Sequence, residues 1–230
     1  MDQNEAKALV ARTALEYLPE QGVIGLGSGS TAKLFIDGVA ELVRQGRNLI
    51  GVPTSSVSRR QAEFLGIPLL TQQGPWPIEV CVDGADQVSP ELDLIKGGGG
   101  FHTREKVVNA AAKKNVIIVD ESKLVQKLGT GFSVPVEVLS FGHHNTAAAL
   151  DRFGRARMRL VGGAPFKTDE GSYVYDVDCG PIDDPGQLDR ALRSVPGVVE
   201  TGLFVGRADV VLVAGESGVR KIERKPGAGS

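Results

Sequence analysis

Residues 22–46 read GVIGLGSGSTAKLFIDGVAELVRQG. Gly22 to Gly25 (GVIG) form a short run with no polar alternation, the pattern of a strand buried on both faces. The glycine-rich turn LGSGST, Leu26 to Thr31, follows at once. The remaining AKLFIDGVAELVRQG has helical spacing and stops at Gly46. Strand, glycine turn and helix open a parallel α/β unit, and the order repeats outward. Upstream, residues 4–18 read as a helix with Ala6, Leu9, Val10, Ala14 and Leu18 near one face. Downstream, Asn48 to Val52 is a second strand, followed by TSS and the helix SRRQAEFLG. IPLLT, residues 67–71, reads as a third strand. IEVCV, residues 78–82, is a fourth and runs into DGAD. Leu92 to Ile95 leads into KGGGG and the helix TREKVVNAAAKK, and NVIIV, residues 115–119, ends in DESK. Short apolar strands between helices predict a parallel sheet covered on both faces. Ligands of such sheets sit outside the carboxyl ends of the strands. Each motif follows a predicted strand, so all of them are expected at one rim.

From about residue 134 the rhythm changes. VPVEVLS is a strand, TAAALDRFG a helix, and ARMRLV and YVYDVDC are strands flanking the turn KTDEGS. DPGQLDRALRSV is a helix and VVETGLFV a strand. That order, βαββαβ, is the ferredoxin-like unit. The closing ADVVLV is continuously apolar and suits the parallel sheet, so the chain is expected to return there. The expected division is residues 1–130 with 207–225 as an α/β domain, and 131–206 as a smaller ferredoxin-like α+β domain. The last six residues, KPGAGS, read as a frayed tail.

Composition narrows the function classes. Hydrophobic residues make up 41 % of the chain, enough for a substantial core. Lys plus Arg number 26 against 28 for Asp plus Glu, a net charge of −2, which argues against a nucleic-acid binder. A small anionic ligand needs only a local positive spot and remains open. The two cysteines, Cys81 and Cys179, sit in apolar or alternating stretches and suit a reducing cytosol. The amphipathic, charged N-terminus does not read as a signal peptide, and no apolar run approaches the ~18 residues of a membrane span. A cytoplasmic protein without membrane contact is expected.

The motifs carry the chemistry. LGSGST offers helix N-terminal N–H groups, the hydroxyls of Ser28, Ser30 and Thr31, and the close approach that Gly27 and Gly29 permit. It lacks the third glycine of a dinucleotide fingerprint, since Ser30 or Ala32 stands there, and it lacks the Lys of a phosphate-binding P-loop. An ordinary turn with a Ser or Thr N-cap has the same letters. In DGAD, Asp83 and Asp86 stand three residues apart and can bind sugar hydroxyls, although Asp-Gly turns are common. KGGGG, Lys96 to Gly100, costs backbone entropy and makes a ring of N–H groups able to hold an oxyanion, with Lys96 at its edge. In TREK, Glu105 falls in the first turn of a helix, where a carboxylate also complements the dipole. Lys123 of DESK can reach a phosphate or belong to a solvated charge cluster. His143 and His144 are adjacent and make a poor chelate, and His102 lies beside the glycine run. No metal set is read.

Taken together, GSGST, TSS, DGAD, KGGGG, TREK and a Ser-Lys pair, in that order, resemble type A ribose-5-phosphate isomerases. The resemblance runs from the N-terminal helix to about Lys221 and includes PVEVL, ALRSVPGVVETGLF and ADVVLV. It implies a Rossmann-like domain with a ferredoxin-like partner domain and a homodimer. It implies interconversion of D-ribose 5-phosphate and D-ribulose 5-phosphate in the non-oxidative pentose phosphate pathway, with no cofactor. Glu105 matches the general base acting through a cis-enediolate, and Asp83, Asp86 and Lys96 match the residues around the reacting carbons. Ser28, Gly29, Ser30, Thr31, Gly84, Ala85, Gly97, Gly98, Gly99 and Lys123 match substrate-binding positions, and Lys7 joins the phosphate site. Ser28 replaces a frequent Thr and keeps the hydroxyl, while Gly100, Phe101 and His102 depart from the small or aliphatic residues more usual there. Two other readings stay open: acyl-CoA transfer through Glu105 as nucleophile, and a non-enzymatic sugar-phosphate sensor.

Overall fold

The computed structural model describes residues 2–71 and 73–224; Met1, Gln72 and the KPGAGS tail lie outside the described residues. In chain order the elements begin with α1 (Gln3–Ala14), β1 (Gln21–Leu26), α2 (Ser30–Arg44), β2 (Asn48–Pro53), α3 (Ser56–Phe64) and β3 (Ile78–Asp83). There follow β4 (Gln87–Val88), β5 (Leu94–Ile95), α4 (His102–Ala111), β6 (Ala112–Asp120), β7 (Val134–Val138), α5 (His143–Leu150) and β8 (Arg155–Met158). The chain closes with β9 (Leu160–Val161), β10 (Ala164–Pro165), β11 (Tyr173–Asp178), α6 (Pro185–Arg193), β12 (Val198–Thr201), β13 (Leu203–Phe204), β14 (Val210–Gly215) and β15 (Gly218–Glu223). Two compact units divide it. The described residues of Met1–Ala85, Arg104–Lys123 and Arg207–Ser230 form the first, and Asp86–Thr103 with Leu124–Gly206 form the second.

The first unit is built on a six-stranded sheet in the order β15-β14-β6-β3-β1-β2. Strands β14, β6, β3, β1 and β2 are parallel, and only β15 pairs antiparallel, to β14. The unit is thus α/β and Rossmann-like. One face packs Val10 and Ala14 of α1 and Phe35, Ile36 and Val39 of α2 on Ile24, Leu26, Val82 and Ile118. The other face packs Val108 of α4 on Val23, Ile78 and Cys81. Burying a side chain such as Phe35 or Ile24 stabilises by roughly 1.5–3 kcal/mol. A capping box starts α1: Asp2 accepts from the Asn4 and Glu5 amides, and Glu5 Oε2 accepts from the Asp2 amide.

The expected third strand IPLLT is a correction. Only an isolated parallel bridge, Gly51 to Leu69, forms beside β2. Pro68 contributes its carbonyl to the Gly51 amide at 2.8 Å but has no N–H to extend a ladder. The ESGVRKIE tail supplied a strand, β15, that its mixed polar letters did not advertise.

The second unit carries a four-stranded antiparallel sheet in the order β12-β7-β11-β8, with α5 after β7 and α6 after β11. This is the ferredoxin-like order, and its core includes Val134, Val136, Val138, Leu150, Tyr175, Val177 and Leu192. A separate three-stranded sheet, β13-β5-β4, belongs to the same unit. The stretch before the glycine run therefore does not join the parallel sheet. Leu94 and Ile95 pair antiparallel with Phe204 and Leu203, and with Val88 and Gln87. KGGGG thus follows a strand of this three-stranded sheet and not one of the parallel sheet.

Candidate functional site

The candidate residues fall on both units, and each set has its own geometry. In the first unit the parallel strands β1, β2, β3 and β6 end at one edge, so GSGST, TSS, DGA and DESK share it. The chain leaves β1 for β2 on one side and crosses to β3 on the other, which makes the β1/β3 edge the topological switch point. There Asp83, 3 % exposed at the end of β3, accepts hydrogen bonds from the Ser28 amide at 2.9 Å and the Gly84 amide at 2.8 Å, both on Oδ1. Gly27 is required by this contact. A Cβ on it would lie 2.3 Å from Asp83 Oδ1 and 2.6 Å from Asp83 Cα. Ser28 Oγ donates to Ser55 Oγ at 2.7 Å and shares a 2.8 Å hydrogen bond with Thr54 Oγ1. Ser55 in turn accepts from the Ser58 amide as the N-cap of α3.

Gly29 is the N-cap of α2 with φ +102°, and no side chain caps this helix. Ser30 and Thr31 are its first two residues. The first-turn N–H groups thus carry a partial positive charge without a side-chain acceptor at the cap. Glu105 stands in the first turn of α4, only 5 % exposed. Lys123 ends the short 3₁₀ turn after β6, half-buried, and its charge acts on Asp120. Burial raises the Asp120 carboxyl, but hydrogen bonds from the Ser122 hydroxyl and amide, together with Lys123, outweigh it and hold the group below its usual value. Lys7 lies half-buried on α1.

In the second unit Asp86 Oδ2 accepts from the Gly98 amide at 2.8 Å, while the Asp86 amide donates to the Ile95 carbonyl. Lys96, 3 % exposed, lies over the Phe204 ring at 5.4 Å, and its amide donates to the Gly202 carbonyl at 2.9 Å. The run itself is a tight turn closed by the Gly100 amide on the Gly97 carbonyl at 2.9 Å. Its glycines are forced by their neighbours. A Cβ on Gly97 would lie 2.6 Å from His102 Nδ1, one on Gly98 2.7 Å from Asp86 Oδ1, and one on Gly100 2.2 Å from Phe166. Gly97 and Gly100 also hold φ +102° and +79°. His102 is fully buried and forms the wall behind Gly97.

The structure brings together Ser28, Asp83 and Gly84 in one cluster and Asp86 and Gly98 in another. Three polar groups in these clusters were outside the expected set: Thr54 and Ser55, which hydrogen-bond the Ser28 hydroxyl, and Arg159, which donates to the Gly97 and Gly98 carbonyls. The TSS signal was visible for the first two, since Ser55 opens a helix; Arg159 gave no local signal. Among the described residues no group of three or more His, Cys, Asp or Glu could hold a metal ion, and no helix is long and apolar enough to cross a membrane.

Comparison with known proteins gives a consistent result. The family described as ribose 5-phosphate isomerase A (phosphoriboisomerase A) matches residues 50–218. The ribose-5-phosphate isomerase A of Desulfatibacillum aliphaticivorans is 45 % identical over 226 residues, 96 % of this chain and 98 % of that protein. The solved ribose 5-phosphate isomerase A of Methanocaldococcus jannaschii is 40 % identical, with a TM-score of 0.91 over 95 % of this chain and 98 % of that one. A solved D-ribose-5-phosphate isomerase in complex with phospho-erythronic acid is 37 % identical, with a TM-score of 0.94 over 97 % of this chain and 100 % of that one. Fold and likeness define an α/β enzyme of the aldose–ketose isomerase class. Within that class the chain belongs to the ribose 5-phosphate isomerase A family.

Proposed function

We propose that this chain interconverts D-ribose 5-phosphate and D-ribulose 5-phosphate through a cis-enediolate, with Glu105 as the general base. The observation that carries the reading is a carboxylate only 5 % exposed in the first turn of α4, the helix that follows a glycine run forced into its shape by its neighbours. Family membership supports the substrate. The phosphate is bound by the uncapped N-terminus of α2, with Ser28, Gly29, Ser30 and Thr31, and by Lys123 and Lys7. Asp83, Gly84, Ala85, Asp86, Lys96 and Gly97 to Gly99 bind the sugar.

After ring opening, Glu105 removes the C2 proton of the aldehyde, and the electron pair moves through C1 onto O1. Lys96 and N–H donors of the glycine run stabilise that oxyanion. The proton of the C2 hydroxyl passes to O1, and protonated Glu105 delivers its proton to C1, leaving a carbonyl at C2. Asp83 or Asp86 assists ring opening. The carbonyl itself acidifies the neighbouring C–H, so the steps need no electron sink. The enzyme acts as a cytoplasmic homodimer in the non-oxidative pentose phosphate pathway.

The test is conversion of ribose 5-phosphate to ketose, followed by NMR with EDTA present. A positioned general base contributes roughly 10²–10⁴-fold, so Glu105→Gln should lose activity on that order while still binding substrate. Near-wild-type turnover by that variant would remove Glu105 from its role. No turnover by the folded wild type would sink the isomerase reading.

A further inference from the structure

The carbonyls of the glycine run face a cation that the reaction above does not use. Arg159, in the link between β8 and β9, donates from Nη1 to the Gly97 carbonyl at 2.7 Å and to the Gly98 carbonyl at 3.1 Å. Its Nε donates to Asp176 Oδ2 at 2.9 Å, and its Nη2 forms a second, short hydrogen bond to Asp176 Oδ1. The side chain is 14 % exposed. Its guanidinium lies 6.0 Å from the Phe166 ring, the same ring that a Cβ on Gly100 would strike. Phe166 is held in turn by its amide on the Arg159 carbonyl at 2.9 Å. All of these residues belong to the second unit.

Peptide planarity converts this clamp into an aim. In a trans peptide the carbonyl of one residue and the N–H of the next point in opposite directions. Pulling the Gly97 carbonyl toward Arg159 therefore turns the Gly98 N–H away from it, and that N–H meets Asp86. Pulling the Gly98 carbonyl the same way turns the Gly99 N–H away from the guanidinium. The positive charge behind the two carbonyls also polarises both peptide units and strengthens their N–H groups as donors. The five donors of a guanidinium allow one side chain to serve two carbonyls and a carboxylate at once, which an ammonium on a flexible stem does not.

We infer that Arg159, oriented by Asp176, is a positioning residue for the isomerisation: it fixes the glycine-run peptides so that the Gly98 N–H orients Asp86 and the Gly99 N–H meets the oxyanion of the enediolate. The inference rests on the isomerase reading above and assigns a role outside the residues that touch the sugar. An N–H donor directed at a developing oxyanion acts on the transition state more than on the bound ground state, so its loss lowers kcat more than it raises KM.

The experiment measures kcat, KM and melting temperature on ribose 5-phosphate for the wild type, Arg159→Met and Arg159→Lys. Deleting an oxyanion donor outright costs about 10²–10³-fold in kcat, and misaiming one costs less. Arg159→Met is expected to lose about 10–100-fold in kcat with KM within about threefold of wild type. Arg159→Lys keeps the charge and should fall between the two. An Arg159→Met enzyme with wild-type kcat overturns the inference, as does a variant whose only change is a raised KM. If Arg159→Met does not fold, Arg159→Lys decides: lowered kcat at steady KM supports the role, and unchanged kcat removes it. A folded wild type without turnover takes the functional reading down and this inference with it, whereas an active wild type beside an equally active Arg159→Met removes only the positioning role.

Discussion

Gly27 illustrates how a single missing side chain shapes the candidate site. The Ser28 amide reaches Asp83 only because nothing stands between β1 and the carboxylate. An alanine methyl would collide with Oδ1 at 2.3 Å and with the Asp83 Cα at 2.6 Å, and the second of these is backbone that no rotamer change can clear. Gly27→Ala is therefore expected to cost about 1–3 kcal/mol, as forced overpacking does, and to lower isomerase activity at least tenfold. Gly84→Ala is the control, because the nearest atom to its added methyl would be the Ile118 carbonyl at 3.8 Å. Its melting temperature should match wild type while that of Gly27→Ala falls. Equal melting temperatures for the two variants would mean the chain relaxes around Gly27 and that the close approach is not a constraint.

Among the elements, α6 shows what local signals can and cannot reveal. Asp184 at its N-cap accepts from the Gln187 amide at 2.8 Å, Pro185 takes the first turn, and Leu192 enters the core with no exposure. The helix itself was expected from DPGQLDRALRSV. Removing the cap in Asp184→Ala should cost about 1 kcal/mol, seen as a lower urea midpoint at unchanged slope. An unchanged midpoint would show that water caps the helix as well. The strands of the parallel sheet were readable because runs such as residues 80–82 and 116–119 are apolar without a break, as strands covered on both faces are. The four strands of the ferredoxin-like sheet fall on VPVEVLS, ARMRLV, YVYDVDC and VVETGLFV, the stretches read as strands. What stayed hidden has physical causes. The strands β4, β5 and β13 are two residues long and carry no period. IPLLT has the letters of a strand, but Pro68 lacks the donor that a ladder needs. Within the site, the glycines and carboxylates were visible because backbone geometry and charge are local. The hydrogen bonds from Arg159 to Gly97 and Gly98 join residues 62 and 61 positions apart, and only the register of β8 on β11 brings Arg159 to Asp176. No window of sequence contains that information.

For the chain as a whole, the second unit is discontinuous, and this sets what a fragment can do. Its ferredoxin-like core takes Ile95 from the Asp86–Thr103 segment and Leu128 from the stretch ahead of β7, both essentially unexposed. The Ile182 amide donates to the Leu128 carbonyl at 2.8 Å, and the Lys96 amide donates to the Gly202 carbonyl at 2.9 Å. In addition, β13 has its partner in β5, outside the continuous stretch. Residues 131–206, the piece that the change of rhythm in the sequence marks off, would keep all four strands of one sheet and both helices. It would lose two large core side chains, at about 2–5 kcal/mol for each when truncated, and leave β13 unpaired. Those losses compare with a total stability of about 5–15 kcal/mol for an ordinary domain. The isolated 131–206 fragment is therefore expected to show secondary structure in far-ultraviolet circular dichroism but no cooperative melting, and to bind the hydrophobic dye ANS. A chain in which residues 86–103 are joined by a flexible linker ahead of 124–206 should melt cooperatively and bind little dye. If the short fragment melted as sharply as the longer one, the contacts of Ile95 and Leu128 would be dispensable and the unit would be a continuous domain after all.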